Sequence, residues 1–380
     1  MLKRTPLYET HQKLGARLVE FGGWEMPVQY TSIMDEHQAV RTAAGMFDIS
    51  HMGEVSVTGP SALAFLNSVL TNDLRKLTPG QGQYTLLCNE RGGVIDDLYA
   101  YRLGEQDFLL IINVSRIDAD VVWLKAHFQK SAPAKGTELD DVSDRMAAVA
   151  IQGPKVAAFI DACFPGPLVG GTLVCKPSEL KKNQIGAVQW NDVRLWIART
   201  GYTGEDGFEI VAEAEAIESV WQQVMMMGLP CGLKPAGLGA RDTLRTEACY
   251  PLYGHELNED TTPLEAGLAF FVALDKGEFI GRTALAAQKE NGVTRKCVAF
   301  KMAEKSAPPR PGYPIWNAAT GEKRIGEVAS GTQSPTFGVG IGLGYVPAET
   351  AKPGTAIQIE IRGKRSPAVI VPKPIYKKPV

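Results

Sequence analysis

One short pattern occurs twice, and it narrows the folds open to this chain more than any other feature. Val55-Ser-Val-Thr-Gly-Pro-Ser-Ala-Leu-Ala-Phe65 is echoed by Val149-Ala-Ile-Gln-Gly-Pro-Lys-Val-Ala-Ala-Phe159. Each copy reads as a strand of alternating apolar residues, then a Gly-Pro turn, then a helix. The proline falls at the first helical position, where a missing N–H costs no hydrogen bond. Each copy is followed by a hairpin-like pair of strands and a helix carrying a tryptophan, Trp123 or Trp221. The echo implies two related α/β modules.

Apolar alternation marks strands at 55–58, 94–103, 108–113, 147–152, 195–200 and 208–212, and helical spacing marks 33–41, 60–69, 117–129, 154–162, 217–226 and 235–248. Strands and helices are mixed along the chain, so the fold class is α+β. Past about residue 290 the helical signal fades, and Glu304-Lys-Ser-Ala-Pro-Pro-Arg-Pro-Gly312 is a proline-rich loop. Short strands at 326–330, 338–345, 357–361 and 368–371 then predict a small β-barrel or sandwich. In Gly338-Val-Gly-Ile-Gly-Leu-Gly344 the alternating glycines leave one strand face bare, which allows another backbone or side chain to approach closely. No helix follows them, so a nucleotide-binding turn is disfavoured.

Composition removes several function classes. Among 380 residues, 40 basic side chains stand against 42 acidic ones for a formal charge of −2, which predicts neither a nucleic-acid surface nor a polybasic membrane anchor. The 44% apolar and 22% charged fractions are those of a globular protein, not a disordered one. The apolar run Phe108–Ile112 falls far short of the ~18 residues that span a bilayer. Six cysteines form no C-x-x-C pair, and the start lacks the apolar stretch of a secretory signal, so reduced thiols and a cytoplasmic location are expected. Among the five histidines none shows H-x-x-x-H spacing, so no metal site is expected.

Three segments carry candidate chemistry. In Gly92-Gly-Val-Ile-Asp-Asp-Leu98, two adjacent acids sit in an apolar, strand-like run. Neighbours in a strand face opposite sides, so at most one of Asp96 and Asp97 enters a given pocket. The burial rule, applied to the pair alone, favours a solvated strand end; a buried acid would need pairing or a use. In Arg199-Thr-Gly-Tyr-Thr-Gly-Glu-Asp-Gly-Phe-Glu209, a glycine-rich loop leads into a strand, and Glu209 is either a polar strand end or a bidentate acceptor for a flat heterocycle edge. In Pro235–Glu247, Arg241 and Arg245 are four apart on one helix face, suited to a carboxylate-bearing ligand or to ordinary ion pairing. His51 is either a titrating group or a structural hydrogen-bonding residue.

Taken together and in order, these segments resemble the aminomethyltransferase (T-protein) family of the glycine cleavage system. The resemblance rests on Arg4-Thr-Pro-Leu, Gly22-Gly-Trp-Glu-Met-Pro-Val-Gln-Tyr30, Gly45-Met-Phe-Asp-Ile-Ser-His-Met-Gly-Glu54 and Thr71-Asn-Asp-Leu. It continues through Ile95-Asp-Asp-Leu98, the Arg199–Glu209 segment, Gly237-Leu-Gly-Ala-Arg-Asp242, Phe279-Ile-Gly-Arg282 and Lys373-Pro. It implies a three-domain cloverleaf: residues 1–50 with 140–280 as one α/β module, 51–139 as the second, and 281–380 as a C-terminal β-barrel. It implies transfer of a methylene carbon from an aminomethyl-dihydrolipoyl carrier, the H-protein, to tetrahydrofolate, with release of ammonia. It makes Asp97 the catalytic carboxylate and assigns folate contacts to Met52, Tyr84, Tyr101, Asn113, Tyr202, Glu209 and Arg241. Phe270 and Phe271 stand where some relatives carry a tryptophan, and the tail Tyr376-Lys-Lys-Pro-Val380 lacks residues with which some members touch the ligand. A folate-dependent demethylase and a non-catalytic folate-binding scaffold are the alternatives. The acid pair argues against the first, and the lack of a Lys-Gly-Cys-Tyr-type motif against the second.

Overall fold

A computed structural model describes residues 2–318 and 323–378. Its contacts divide into two compact units. The first takes in the chain through Leu87, then Asp96–Gly201 and Glu205–Arg241; the second comprises Cys88–Ile95, Tyr202–Gly204 and the chain from Asp242 on.

Within the first unit, the two copies of the repeated pattern open two sheets built on one plan. The five-stranded sheet has the order Gln81–Cys88, Val94–Arg102, Asp107–Ile112, Gly53–Thr58, Glu138–Asp141. The seven-stranded sheet runs Gly170–Gly171, Ile185–Trp190, Val193–Ala198, Gly207–Glu213, Met146–Gln152, Ala44–Asp48, Leu233–Pro235. In both, the opening strand pairs antiparallel with the last strand of the three-strand meander that follows it. The echo in sequence is therefore an echo in topology.

Each meander is followed by the expected tryptophan-bearing helix, Ile117–Lys130 and Ile217–Gly228. The second buries Ile217, Val220, Trp221 and Val224, one stripe at helical spacing, against Val149, Ile151, Ile197, Phe208 and Ile210 of the seven-stranded sheet. Burying side chains of this size contributes about 1.5–3 kcal/mol each.

The Gly-Pro pairs differ from expectation. The first helix is Ala62–Val69, so Pro60 lies ahead of it, and the segment expected as a helix over 154–162 is a 3₁₀ turn at Val156–Ala158 followed by a single α-turn at Ile160–Cys163. The cause is the glycine before each proline. Gly59 and Gly153 take φ of +100° and +141°, and a Cβ there would fall 2.2 Å from the Gly136 carbonyl oxygen or 2.4 Å from that of Ala43. The chain turns sharply at these close approaches before any helix begins.

A buried cluster anchors the N-terminal segment to this unit. Asp48, at the end of strand Ala44–Asp48, accepts hydrogen bonds from Thr5 Oγ1 (2.7 Å), His11 Nε2 (2.9 Å) and the backbone N–H of Ser50 (2.9 Å). His11 Nδ1 in turn meets the Tyr30 hydroxyl at 2.9 Å.

The second unit contains a closed barrel of Arg295–Met302, Gly340–Pro347, Arg324–Gln333, Pro314–Asn317, Ala356–Ile361 and Lys364–Val371. Two of these strands, the first and Pro314–Asn317, are additional to the four expected. The alternating glycines serve packing: a Cβ on Gly342 would lie 2.5 Å from the Phe300 ring, and one on Gly340 2.7 Å from Met302. Phe300 and Met302 fill that bare face and belong to the barrel core.

Candidate active site

The acid pair divides as strand alternation requires. Asp97 lies on the same face of strand Val94–Arg102 as Tyr99 and Tyr101, and its Oδ2 accepts a 2.8 Å hydrogen bond from the Tyr84 hydroxyl. Asp96 faces the other way, where its oxygens accept from the Asn113 backbone N–H (3.0 Å) and Nδ2 (2.8 Å). Asn113 Nδ2 also reaches Asp97 Oδ1 at 3.0 Å and so bridges the two carboxyls. Neither acid is a solvated strand end: Asp96 is fully buried and Asp97 is 9% exposed.

Burial is the main force on Asp97. It pushes the carboxyl up to about 7, helped by the charge of Asp96 and opposed by the hydrogen bonds from Tyr84 and Asn113. A carboxyl with this pKa can take up and return a proton near neutrality.

Strand register brings Met52 to the same place. Gly53 pairs with Ile112, and Tyr99 with Ile111. Met52 directly precedes the first of these paired strands, Asn113 directly follows its partner, and Asp97 stands two residues before Tyr99 on the neighbouring strand.

The opposite side of the site comes from the seven-stranded sheet. Glu209 is paired with Ala198, so the two share a face, and Ala198 packs with Tyr101, Leu109, Tyr99 and Ile111 of the five-stranded sheet. The Thr200 hydroxyl donates to Glu209 Oε2 at 2.6 Å and lies 3.0 Å from the Tyr101 hydroxyl. With its single proton committed to Glu209, Thr200 accepts from Tyr101. Burial and the Glu209 charge keep Tyr101 protonated, which suits it to donate. Gly82 makes room for this arrangement, since a Cβ there would come within 2.4 Å of the Tyr101 ring and 2.7 Å of the Tyr99 ring.

The loop before Glu209 is locked at two points. Arg199 grips Asp206 with two hydrogen bonds of 3.0 and 2.6 Å, and Arg41 pairs with Glu205 at 2.8 Å with both side chains nearly buried. Both contacts lie within the first unit and hold the strand start that presents Glu209.

Arg241 is also in the first unit, half-buried, and its charge acts on His51, the neighbour of Met52. His51 is 2% exposed, and its Nδ1 has no hydrogen-bond partner among the described residues. Burial pulls it down to about 4; Asp48 opposes this and Arg241 adds to it. His51 is therefore neutral at physiological pH.

Two expected residues belong to the second unit. The Tyr202 hydroxyl donates to the Pro251 carbonyl, and its ring stacks on Tyr250 with centroids 5.8 Å apart. Of the two readings open for Arg245, ion pairing is the one the structure bears out. The side chain is 2% exposed and donates to Asp242 (2.7 and 2.9 Å), Glu256 (3.0 Å) and Ser330 (2.8 Å), so its charge is committed inside the protein. Phe270 is 90% exposed, and the last two residues of the tail lie outside the described residues.

Sequence reasoning passes over Thr200 and Asp120. Asp120 is fully buried on helix Ile117–Lys130 beside Val121 and Leu124. The signal is present, because an acid at i+3 of Ile117 falls inside the apolar stripe.

Comparison with known proteins agrees along the whole chain. Residues 7–276 match the GCVT N-terminal domain, and residues 295–377 match the glycine cleavage T-protein C-terminal barrel domain. The chain is 47% identical over 382 aligned positions to proteins named aminomethyltransferase from Bacillus cereus and Bacillus mycoides, covering 99% of this chain and of each relative. The crystal structure of glycine cleavage system aminomethyltransferase T from Bartonella henselae superposes with a TM-score of 0.89 at 34% identity, covering 100% of this chain and 99% of that one. The chain belongs to the glycine cleavage T-protein family.

Proposed function

We propose that this protein is an aminomethyltransferase that passes the methylene carbon of an aminomethyl-dihydrolipoyl carrier protein to tetrahydrofolate. The products are 5,10-methylenetetrahydrofolate, ammonia and the dihydrolipoyl carrier. The observation that carries the reading is the Tyr84–Asp97–Asn113 cluster, a buried carboxyl poised near neutrality on a tyrosine-lined sheet face.

The donor set suits tetrahydrofolate. Glu209 presents an acceptor-only carboxylate to the pterin's amino group and ring N–H, and Thr200 orients it. Tyr84, Tyr101 and Met52 supply flat or flexible apolar surface, and Arg241 supplies a cation for the glutamyl tail. Asp97 orients the reacting end and accepts the proton released as the folate nitrogen attacks the aminomethyl carbon, a contribution of typically 10²–10⁴-fold. The carrier is the lipoyl H-protein, and the reading places both proteins in the cytoplasm.

The test is ammonia release from an aminomethylated lipoyl carrier, with and without tetrahydrofolate, for the wild type and Asp97→Asn. Release that needs both folate and Asp97 supports the assignment. A variant that turns over normally, or release indifferent to folate, rejects it.

A further inference from the structure

Strand pairing does not reach Thr200, the residue whose hydroxyl orients Glu209. The ladder between strands Val193–Ala198 and Gly207–Glu213 ends at the pair Ala198 and Glu209, and Thr200 lies two residues past it. Its carbonyl oxygen accepts a 3.0 Å hydrogen bond from Nε2 of Gln152, a fully buried residue at the end of strand Met146–Gln152. That bond spans a strand. Gly207–Glu213 runs between the two, and Gly207 stands directly opposite Gln152.

Two glycines make the reach possible. A Cβ on Gly207 would fall 2.4 Å from Gln152 Nε2, and one on Gly201 would fall 1.8 Å from Gln152 Oε1. The three heavy atoms nearest that Gly201 Cβ all belong to the Gln152 side chain, so the space left open there is filled by this amide. Burying an amide is costly unless it is hydrogen-bonded. The repeated strand-and-turn pattern does not call for one, since Thr58 occupies the corresponding position of the first copy.

We infer that Gln152 is a positioning residue for ligand recognition, whose amide fixes the Thr200 backbone and so holds the hydroxyl that orients Glu209 toward the amino group and ring N–H of a pterin. The inference rests on the tetrahydrofolate reading for the identity of that ligand. Gln152 acts through Thr200 and Glu209 on the seven-stranded sheet, while Asp97 belongs to the five-stranded one. Its loss therefore weakens binding and spares the chemical step.

The experiment is direct titration of the full-length protein with tetrahydrofolate, beside steady-state kinetics. Gln152→Met keeps the length of the buried side chain but donates no hydrogen bond. Kd and KM for tetrahydrofolate should rise about 3–10-fold, with kcat within about twofold of the wild type. Gly201→Ala leaves Gln152 in the chain but drives its amide from the space it fills, and should give the same loss; it decides alone if the methionine variant does not fold. In a Thr200→Val background, Gln152→Met should add less than about twofold, because the route is already cut. A tetrahydrofolate analogue with a methyl group in place of the 2-amino group should bind the wild type and Gln152→Met alike. Independent losses in the Thr200→Val background, or equal weakening of both ligands, would make Gln152 a merely structural residue and overturn the inference. Unchanged tetrahydrofolate affinity in both variants overturns it and leaves the folate reading standing. A wild type that does not bind tetrahydrofolate overturns the folate reading and the inference with it.

Discussion

The Tyr84 hydroxyl donates to Oδ2 of Asp97 across 2.8 Å, tying neighbouring strands of the five-stranded sheet together at the carboxyl assigned to chemistry. This bond favours the ionised carboxylate and works against burial, which favours the acid. Asp97 sits near 7 because burial and the charge of Asp96 outweigh the hydrogen bonds from Tyr84 and Asn113.

Tyr84→Phe tips that balance. Losing a hydrogen bond to the charged form raises Asp97 further, and the acid limb of kcat/KM should move up by about 0.5–1 pH unit. A limb that stays in place would show that it reports some other group.

Asp97→Asn should stabilise the protein at alkaline pH while abolishing turnover. The folded state keeps the Asp97 proton up to about pH 7, whereas the unfolded chain releases it near about 3.9. Folded protein therefore binds more protons between those values, and stability from this group falls as pH rises through the window. The variant should exceed the wild type by on the order of 2–4 kcal/mol at pH 8 and match it near pH 4. Paired denaturant titrations at the two pH values measure the difference.

Glu209→Gln replaces one acceptor oxygen with a donor facing a donor edge. KM for tetrahydrofolate should rise about 10–100-fold, the equivalent of one charge-assisted recognition contact. Thr200→Val, which breaks the Tyr101–Thr200–Glu209 chain without touching the carboxylate's charge, should raise it only several-fold. Direct folate titration of both variants separates them, and equal losses would contradict the orienting role given to Thr200.

Asp48→Ala leaves Thr5, His11 and the Ser50 N–H without their common acceptor, at a cost of about 3–5 kcal/mol. Burial alone would raise the Asp48 carboxyl, but the hydrogen bonds from His11 and Thr5 bring it below the ordinary value. Its contribution is thus complete above about pH 4 and is lost as pH falls through the depressed folded value. Thermal unfolding from pH 7 down to pH 2 should show this loss in the wild type and not in the variant.

Much of this site is legible in the order of residues alone. The Val-x-Val/Ile-x-Gly-Pro echo announces two modules, and the two sheets share the order of the echo strand and its meander. Alternation alone requires Asp96 and Asp97 to part company across strand Val94–Arg102. Strand Gln81–Cys88, which carries Tyr84, escapes such a reading because Gln-Gly-Gln-Tyr has no clean apolar alternation. Local spacing starts the Gly-Pro helices too early because it does not register that another segment's carbonyl lies against Gly59 or Gly153.

The sharper division is between periodicity and pairing. A strand repeats every two residues and a helix every 3.6, so the order of residues along the chain is enough to announce which elements form and which face of each is apolar. It does not state which distant group a buried charge will meet. Arg241 and Arg245 occupy equivalent positions one helical turn apart, yet Arg245 is consumed by Glu256 and Ser330 while Arg241 acts on His51. Asp120 reads as an ordinary first-turn acid until packing buries it completely on helix Ile117–Lys130. The state of a buried carboxyl is set by the donors and charges around it in three dimensions, and those neighbours exist only once sheets and helices have packed.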